Sequence, residues 1–371
     1  MFENFKVPVD LRPADPRFGC GPSLIPMNAV EKLLATGTGF LGTSHRKPTI
    51  RKCVQEIQEG LKKYFQVPAD YSVVMGNGGA TLLFDMVALG LVEKKIAHFT
   101  CGEFSEKWYL ASKLVPWIKA EQDSRPVGEG NNGKDVSDAD VIAVTLNETS
   151  TGVQLSSLPK VHAGALLAVD ATSGAGQCPC DVSHTDLFFF SPQKVFASDG
   201  GLWVAILSPK ARERALKIAS DKSRYVPEIM NWKQAITNAD QNQTYNTPAL
   251  ATLFFLNEQV KLMNGLGYKK VQEMARQKAD LVYGWAEKKP YLSCYVKEAA
   301  HRSWAVATID VDAKYDVNPL IALLEKEKIA FGIDPYRKLG RNQFRIALFH
   351  NITINDLERL TRLISAAIES A

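Results

Sequence analysis

Short apolar runs punctuate the stretch between Val73 and Leu207, at 73–75, 96–99, 141–146, 165–169, 187–190 and 202–207. A strand with one face in water alternates apolar and polar positions. These runs are apolar at both parities, the pattern of strands buried on two faces of a largely parallel sheet. Between them, 81–91 and 105–114 have helical composition. Strands alternating with helices predict an α/β domain.

The pattern then changes. Residues 253–263 and 271–288 read as helices, separated by a break at Gly265-Leu266-Gly267. Residues 305–311 alternate as a half-buried strand, 319–326 as a helix and 344–348 as a strand. Thr353-Ile354-Asn355-Asp356 is a helix start signal, followed by leucines and isoleucines at helical spacing. The expectation is an irregular arm over residues 1–20, a large α/β domain over 21–264 and a smaller α+β domain over 265–371.

With 371 residues the chain exceeds what one hydrophobic core serves, so two domains are the default. Its 46% hydrophobic and 23% charged residues support a compact core and argue against disorder. A net charge of +4 spread over the chain favours small anionic ligands and gives no reason to expect nucleic acid. The amino terminus reads neither as a secretory signal nor as a transit peptide. The most apolar helical stretch is interrupted by Asp85, so no membrane partner is expected. Six cysteines are too few for a disulfide scaffold, and the Cys178/Cys180 pair lacks a second cluster. Reduced thiols, no bound metal and a cytoplasmic location are the expectation.

Ligands in open α/β sheets bind beyond the carboxyl ends of the strands. There the first run is followed by Gly76-Asn77-Gly78-Gly79-Ala80-Thr81, a glycine turn opening a helix and fitted to a phosphate. Phe104 follows the second run and Thr149 the third. Asp170 ends the fourth, and Ser191-Pro192-Gln193-Lys194 follows the fifth. Each has a plain structural alternative: a structural turn, a core aromatic, a cap, an exposed lysine. The turn also lacks the Lys-Ser/Thr ending of a P-loop. Together they place a phosphate cradle, an aromatic, a hydroxyl, a carboxylate and an amine on one rim. That set suits pyridoxal phosphate, with Lys194 bonded to its aldehyde and Asp170 paired with its protonated ring nitrogen.

The strings Val169-Asp170-Ala171-Thr172-Ser173, His184-Thr185-Asp186 and Ser191-Pro192-Gln193-Lys194 resemble the class-V aminotransferases of pyridoxal-phosphate fold type I. Further strings are similar to the phosphoserine aminotransferase branch: Phe18-Gly19-Cys20-Gly21-Pro22, Ser44-His45-Arg46, Asn147-Glu148-Thr149 with Gly152, Asn246-Thr247-Pro248, and the segment from Pro335 to Arg345. The resemblance implies a mostly parallel seven-stranded sheet flanked by helices, a smaller C-terminal domain and a homodimer. It also implies roles. Gly78, Gly79 and Gln193 would bind the cofactor phosphate, with Asn246 and Thr247 completing that of the other subunit. Phe104 would stack on the ring and Thr149 reach its hydroxyl side. His45 and Arg46 would face the substrate, and Arg345 would clamp its α-carboxylate. Gly79 stands where better-known members carry an arginine. Some of Arg337, Lys338 and Arg341 are therefore expected to replace the missing charge toward a substrate phosphate. His184 and Asp186 are expected to form a structural pair under the lysine loop.

The implied reaction moves an amino group between glutamate and a phosphorylated 2-oxo acid, 3-phosphohydroxypyruvate, as in serine biosynthesis. Action on the phosphorylated hydroxythreonine of vitamin B6 synthesis is a further implication. Lys194 would carry the proton as general base and then acid. The rivals are alanine–glyoxylate transamination, cysteine desulfuration, for which no cysteine lies in a matching motif, and a non-covalent nucleotide-binding protein built on the glycine turn.

Overall fold

The structure, a computed structural model, describes residue 2 and residues 5–371. After helices α1 (Met27–Ala35) and α2 (Pro48–Phe65) come β1 (Ser72–Gly78), α3 (Ala80–Gly90), β2 (Lys95–Thr100), α4 (Glu103–Lys113) and β3 (Lys119–Ser124). Then follow β4 (Val141–Thr145), the short pair β5 (Asn147–Glu148) and β6 (Val153–Gln154), β7 (Leu166–Asp170), β8 (Leu187–Phe190) and β9 (Gly201–Leu207). Seven of these strands form one sheet in the order β1-β9-β8-β7-β4-β2-β3. Only β9 runs antiparallel to its neighbours. The remaining six therefore end at one edge.

Burial on both faces explains the continuous apolar runs. On β8, Phe188 and Phe190 enter a core shared with α2 and with α7 (Leu250–Leu266), while Leu187 and Phe189 enter another. That second core is built with α3, α4, α5 (Pro209–Ala219) and α6 (Trp232–Ala239). Helix α2 buries Ile50, Val54, Ile57, Leu61 and Phe65, one stripe at helical spacing, and leaves its charged side to solvent. The C-terminal part holds α8 (Tyr268–Glu287), β10 (Leu292–Cys294), β11 (Val306–Val311), α9 (Asn318–Lys326), β12 (Gln343–Ala347) and α10 (Ile354–Glu369). Its three strands form an antiparallel sheet, and Gly267, at φ +86°, makes the expected break between α7 and α8. Among the described residues no helix is long and apolar enough to cross a membrane. All six cysteines are free thiols.

Two differences from the sequence reading have physical causes. Strand β3, with the sequence KAEQDS, is an edge strand, half-buried at best, so it carries no apolar run. The N-terminal segment is irregular but not loose: Arg17 bridges to Phe331, and the Phe18 carbonyl accepts from the Ala347 amide at 3.1 Å.

Behind the loop after β8, the rings of Phe190 and Phe196 stack with centroids 4.7 Å apart. Phe196→Ala is expected to cost about 3–5 kcal/mol through the cavity it leaves. Urea unfolding of wild type and variant measures this.

Candidate active site

The chain's route across the sheet reverses at β4: β2 leads outward to β3, whereas β4 leads inward through β7 and β8. A crevice opens at such a point. Phe104, in the first turn of α4, and Thr149, in the buried turn after β5, stand beside it. Asp170 ends β7, and Gln193 and Lys194 lie in the loop after β8. Gly78 closes β1 at φ +120°, a value that favours glycine, and Gly79 caps α3. The amides of that first turn have no helical partner and face the same edge.

Burial dominates the electrostatics. It lowers the Lys194 ammonium to about 8, against partial restoration by Cys20 and Asp170 and a further lowering by Arg345. Burial also raises the Asp170 carboxyl to about 6, although Thr172 donates to it through its amide, at 3.0 Å, and its hydroxyl. Lys194 and Asp170 each feel the other's charge across the ends of the adjacent strands β7 and β8. The result is an amine that sheds its proton more readily than an exposed lysine, beside a carboxylate that gains from a cationic partner.

Phe104 is positioned by Glu148, whose role the sequence reading missed. Its fully buried carboxylate accepts from the amides of Phe104 and Ser105, the latter at 2.9 Å, and from the hydroxyls of Ser105 and Ser150. A carboxylate at a helix N-terminus also meets the positive end of the helix dipole. The Phe104 ring is 6.2 Å from that of Tyr336, and the Arg345 guanidinium lies 5.3 Å from the Tyr336 ring centroid. Tyr336 is thus a further rim residue, signalled only by its place beside Arg337. Cys20 and Asn77, given no role by the sequence reading, also join the rim.

The basic residues divide. Arg345 is half-buried, with its Nε lacking a partner and one Nη only 3.5 Å from the Thr149 carbonyl, so it is available to an anion. Arg337 is exposed and forms no ion pair among the described residues. Lys338 is paired with Glu103. Arg341 is held by Asp310 through two bonds, at 3.0 and 2.6 Å, and stacks on Tyr295. His45 is buried, and burial lowers its imidazolium, helped by Arg46, which is exposed. The His45 ring contacts Thr247 Oγ1 at 3.1 Å. Asn77 donates to the Thr247 carbonyl, which ties the exposed Asn246-Thr247 turn to the residue before Gly78 within the same chain.

One expectation is corrected. His184 and Asp186 do not pair: His184 meets Asp181 at 3.0 Å, while Asp186 accepts from the Leu167 amide and the Ser208 hydroxyl. The one-residue spacing to Thr185 turns them to different neighbours.

Residues 19–333 match the family model described as Aminotransferase class-V. The chain belongs to the class-V aminotransferases. This aminotransferase is 44% identical over 374 residues to the phosphoserine aminotransferase of Corynebacterium glutamicum (strain R), covering 98% of this chain and 97% of that one. The crystal structure of a phosphoserine aminotransferase from Cytophaga hutchinsonii superposes with a TM-score of 0.86 at 23% identity, over 96% and 99% of the two chains. A pyridoxal-phosphate-bound phosphoserine aminotransferase from Trichomonas vaginalis gives 0.79 at 20% identity, over 94% and 99%. Both share its fold.

Pyridoxal phosphate is the cofactor on which this class works, and the rim of this aminotransferase fits it. The lowered amine of Lys194, the buried anion of Asp170 and the glycine turn at α3 match an aldehyde, a ring cation and a phosphate in turn. Gln193 Oε1 is buried without a partner close to the lysine.

Without a ring cation, Asp170 opposes folding at neutral pH. Its native value lies above the ordinary 3.8, so the native state binds more protons between about 4 and 6 and stability falls as pH rises through that window. The loss amounts to at most about 3 kcal/mol. Asp170→Asn should therefore leave the cofactor-free protein at least as stable as wild type at pH 8, an advantage that vanishes toward pH 4. The same variant should weaken cofactor binding at least roughly tenfold, since a charge-assisted bond is lost. Thermal melts across pH and cofactor titration measure the two effects.

Proposed function

We propose that this aminotransferase moves an amino group from glutamate to 3-phosphohydroxypyruvate, giving 2-oxoglutarate and O-phospho-L-serine. The observation that carries the reading is a guanidinium with no ion-pair partner among the described residues, beside a buried amine: Arg345 Nε has no hydrogen-bond partner among them, and its charge is felt by Lys194. Every substrate of such a reaction carries an α-carboxylate, and the planar fork of arginine suits one. Lys194 Nζ takes the α-proton of the amino donor and, in the reverse direction, returns one to the α-carbon of the product. Bound pyridoxal phosphate supplies the electron sink that makes that proton labile. Asp170, Gly78, Gly79, Gln193, Thr149 and Phe104 hold the cofactor. Asn246 and Thr247 contribute their phosphate contacts to a second subunit's site.

For the substrate phosphate, Arg337 is the leading group and Lys338 the second, the latter by leaving Glu103. Arg341 acts instead as a brace on Asp310. His45 and Arg46 face the substrate from the other side. The full-length likeness to relatives named phosphoserine aminotransferase supports this over alanine–glyoxylate transamination, which leaves Arg337 without an anion. Desulfuration is disfavoured, because Cys294 is buried in β10 and burial raises the Cys20 thiol near the rim.

The assignment predicts a yellow protein whose visible band is trapped on Lys194 by borohydride. Lys194→Ala should lose multiple-turnover transamination by about 10²-fold or more, as expected for removing a proton-transfer group. Arg337→Ala should lower kcat/KM for phosphoserine by roughly tenfold or more with little change for glutamate. Arg341→Ala should reduce stability rather than selectivity. Equal use of serine and phosphoserine by the wild type would refute the substrate assignment.

A cytoplasmic homodimer completes the proposal, with the chain divided into an arm 1–20, a large unit 21–264 and a small one 265–371. On α1, Met27, Val30 and Leu34 are 61%, 37% and 81% exposed and share one helix face, an apolar stripe suited to a second copy. Leu34→Glu should shift the sedimentation coefficient toward the monomer.

A further inference from the structure

Residues 16–23 run as a bridge between the two sheets. At one end, the Pro16 carbonyl accepts from the Phe331 amide at 2.7 Å, the Phe18 amide donates to Phe331 at 3.0 Å, and Phe18 accepts from Ala347 at 3.1 Å. At the other end, the Ser23 amide donates to the Gln193 carbonyl at 2.7 Å, one residue before Lys194. Asn351 anchors the exit, donating to Ser23 Oγ at 3.0 Å and to the Leu24 carbonyl at 2.7 Å. Between these anchors, Lys194 Nζ donates to the Cys20 carbonyl at 2.8 Å, its one hydrogen bond among the described residues.

Gly21 sits against the same side chain. A Cβ there would lie 1.9, 2.4 and 2.5 Å from Nζ, Cε and Cδ of Lys194, at a backbone φ of +137°. Three consecutive atoms are blocked, so rotation of the amine alone does not relieve the overlap. Glycine at 21 thus keeps open the corridor in which the lysine lies.

We propose that residues 18–23 form a strap that parks the Lys194 amine, the Cys20 carbonyl holding it in the cofactor-free protein and Gly21 keeping its path clear. The inference rests on the reading of Lys194 as the cofactor lysine. A neutral carbonyl suits the task. It accepts from the amine and fixes its direction, yet adds no negative charge that would hold the amine protonated as a paired carboxylate does. A side chain released with four free torsions is otherwise dispersed, and holding it near the reacting atom recovers that entropy.

The test compares two probes on cofactor-stripped protein. Pyridoxal phosphate condenses with the amine, losing water. Pyridoxamine phosphate has the same ring and phosphate but no aldehyde, and reads the cradle alone. Borohydride reduction and peptide mass first establish the attachment at Lys194 in the wild type. In Gly21→Ala, recombination with pyridoxal phosphate should slow at least about tenfold while pyridoxamine phosphate affinity stays within about threefold. Asn351→Ala, which slackens the strap without adding a Cβ to the corridor, should slow recombination roughly threefold with the same contrast. It decides the matter alone if Gly21→Ala does not fold. Wild-type recombination in the folded variants, or equal loss of both probes, overturns the strap. A wild type labelled elsewhere than Lys194 overturns the cofactor reading and the strap with it.

Discussion

Burying an amine and a carboxylate at the same edge of a sheet is costly, because each loses hydration that neither wholly repays. In this chain the cost falls on Lys194 and Asp170, at the ends of adjacent segments of a parallel sheet, and it has chemical effect in both directions. The amine gives up its proton at lower pH than an exposed lysine, at about 8, and the acid retains its own longer than usual. Neither state is reachable on an exposed loop, where water would restore ordinary values. The two-faced sheet supplies the burial. Its strands are covered by α3, α4, α5 and α6 on one side and by α2 and α7 on the other.

Much of that arrangement was legible in the sequence because two-sided burial leaves no polar parity in a strand. The runs that became β1, β2, β4, β7, β8 and β9 were visible, and so was the rim at their ends. The direction of β9 was not, since LWVAIL reads alike in either orientation and its turn connections carry no marker. Strand β3 was hidden by its edge position. Among candidate site residues, Lys194, Asp170 and Phe104 could be proposed from side-chain chemistry at the strand ends, and Arg345 only from the family resemblance. Cys20 was missed because it acts through its carbonyl, which every residue has. The commitment of Arg341 was missed because Asp310 lies on a neighbouring strand, and register is not written in local composition.

The interplay of basic groups follows the same logic. A cluster such as Arg337, Lys338 and Arg341 has one sign in the sequence, but in the fold each member meets a different counter-charge. What distinguishes Arg337 is not its own chemistry but the lack, among the described residues, of an acidic neighbour that claims it.

Glu148 has a consequence for the polarity of the crevice. Two helices, α3 and α4, begin at this edge, and each would by itself attract a phosphate. The Glu148 carboxylate saturates the leading amides of α4 and cancels its positive pole, whereas α3 keeps its own. An elongated ligand with one anionic end therefore meets an asymmetric pair of poles, and that end is favoured at α3 over α4, so that one internal anion acts as a compass for a molecule it does not need to touch.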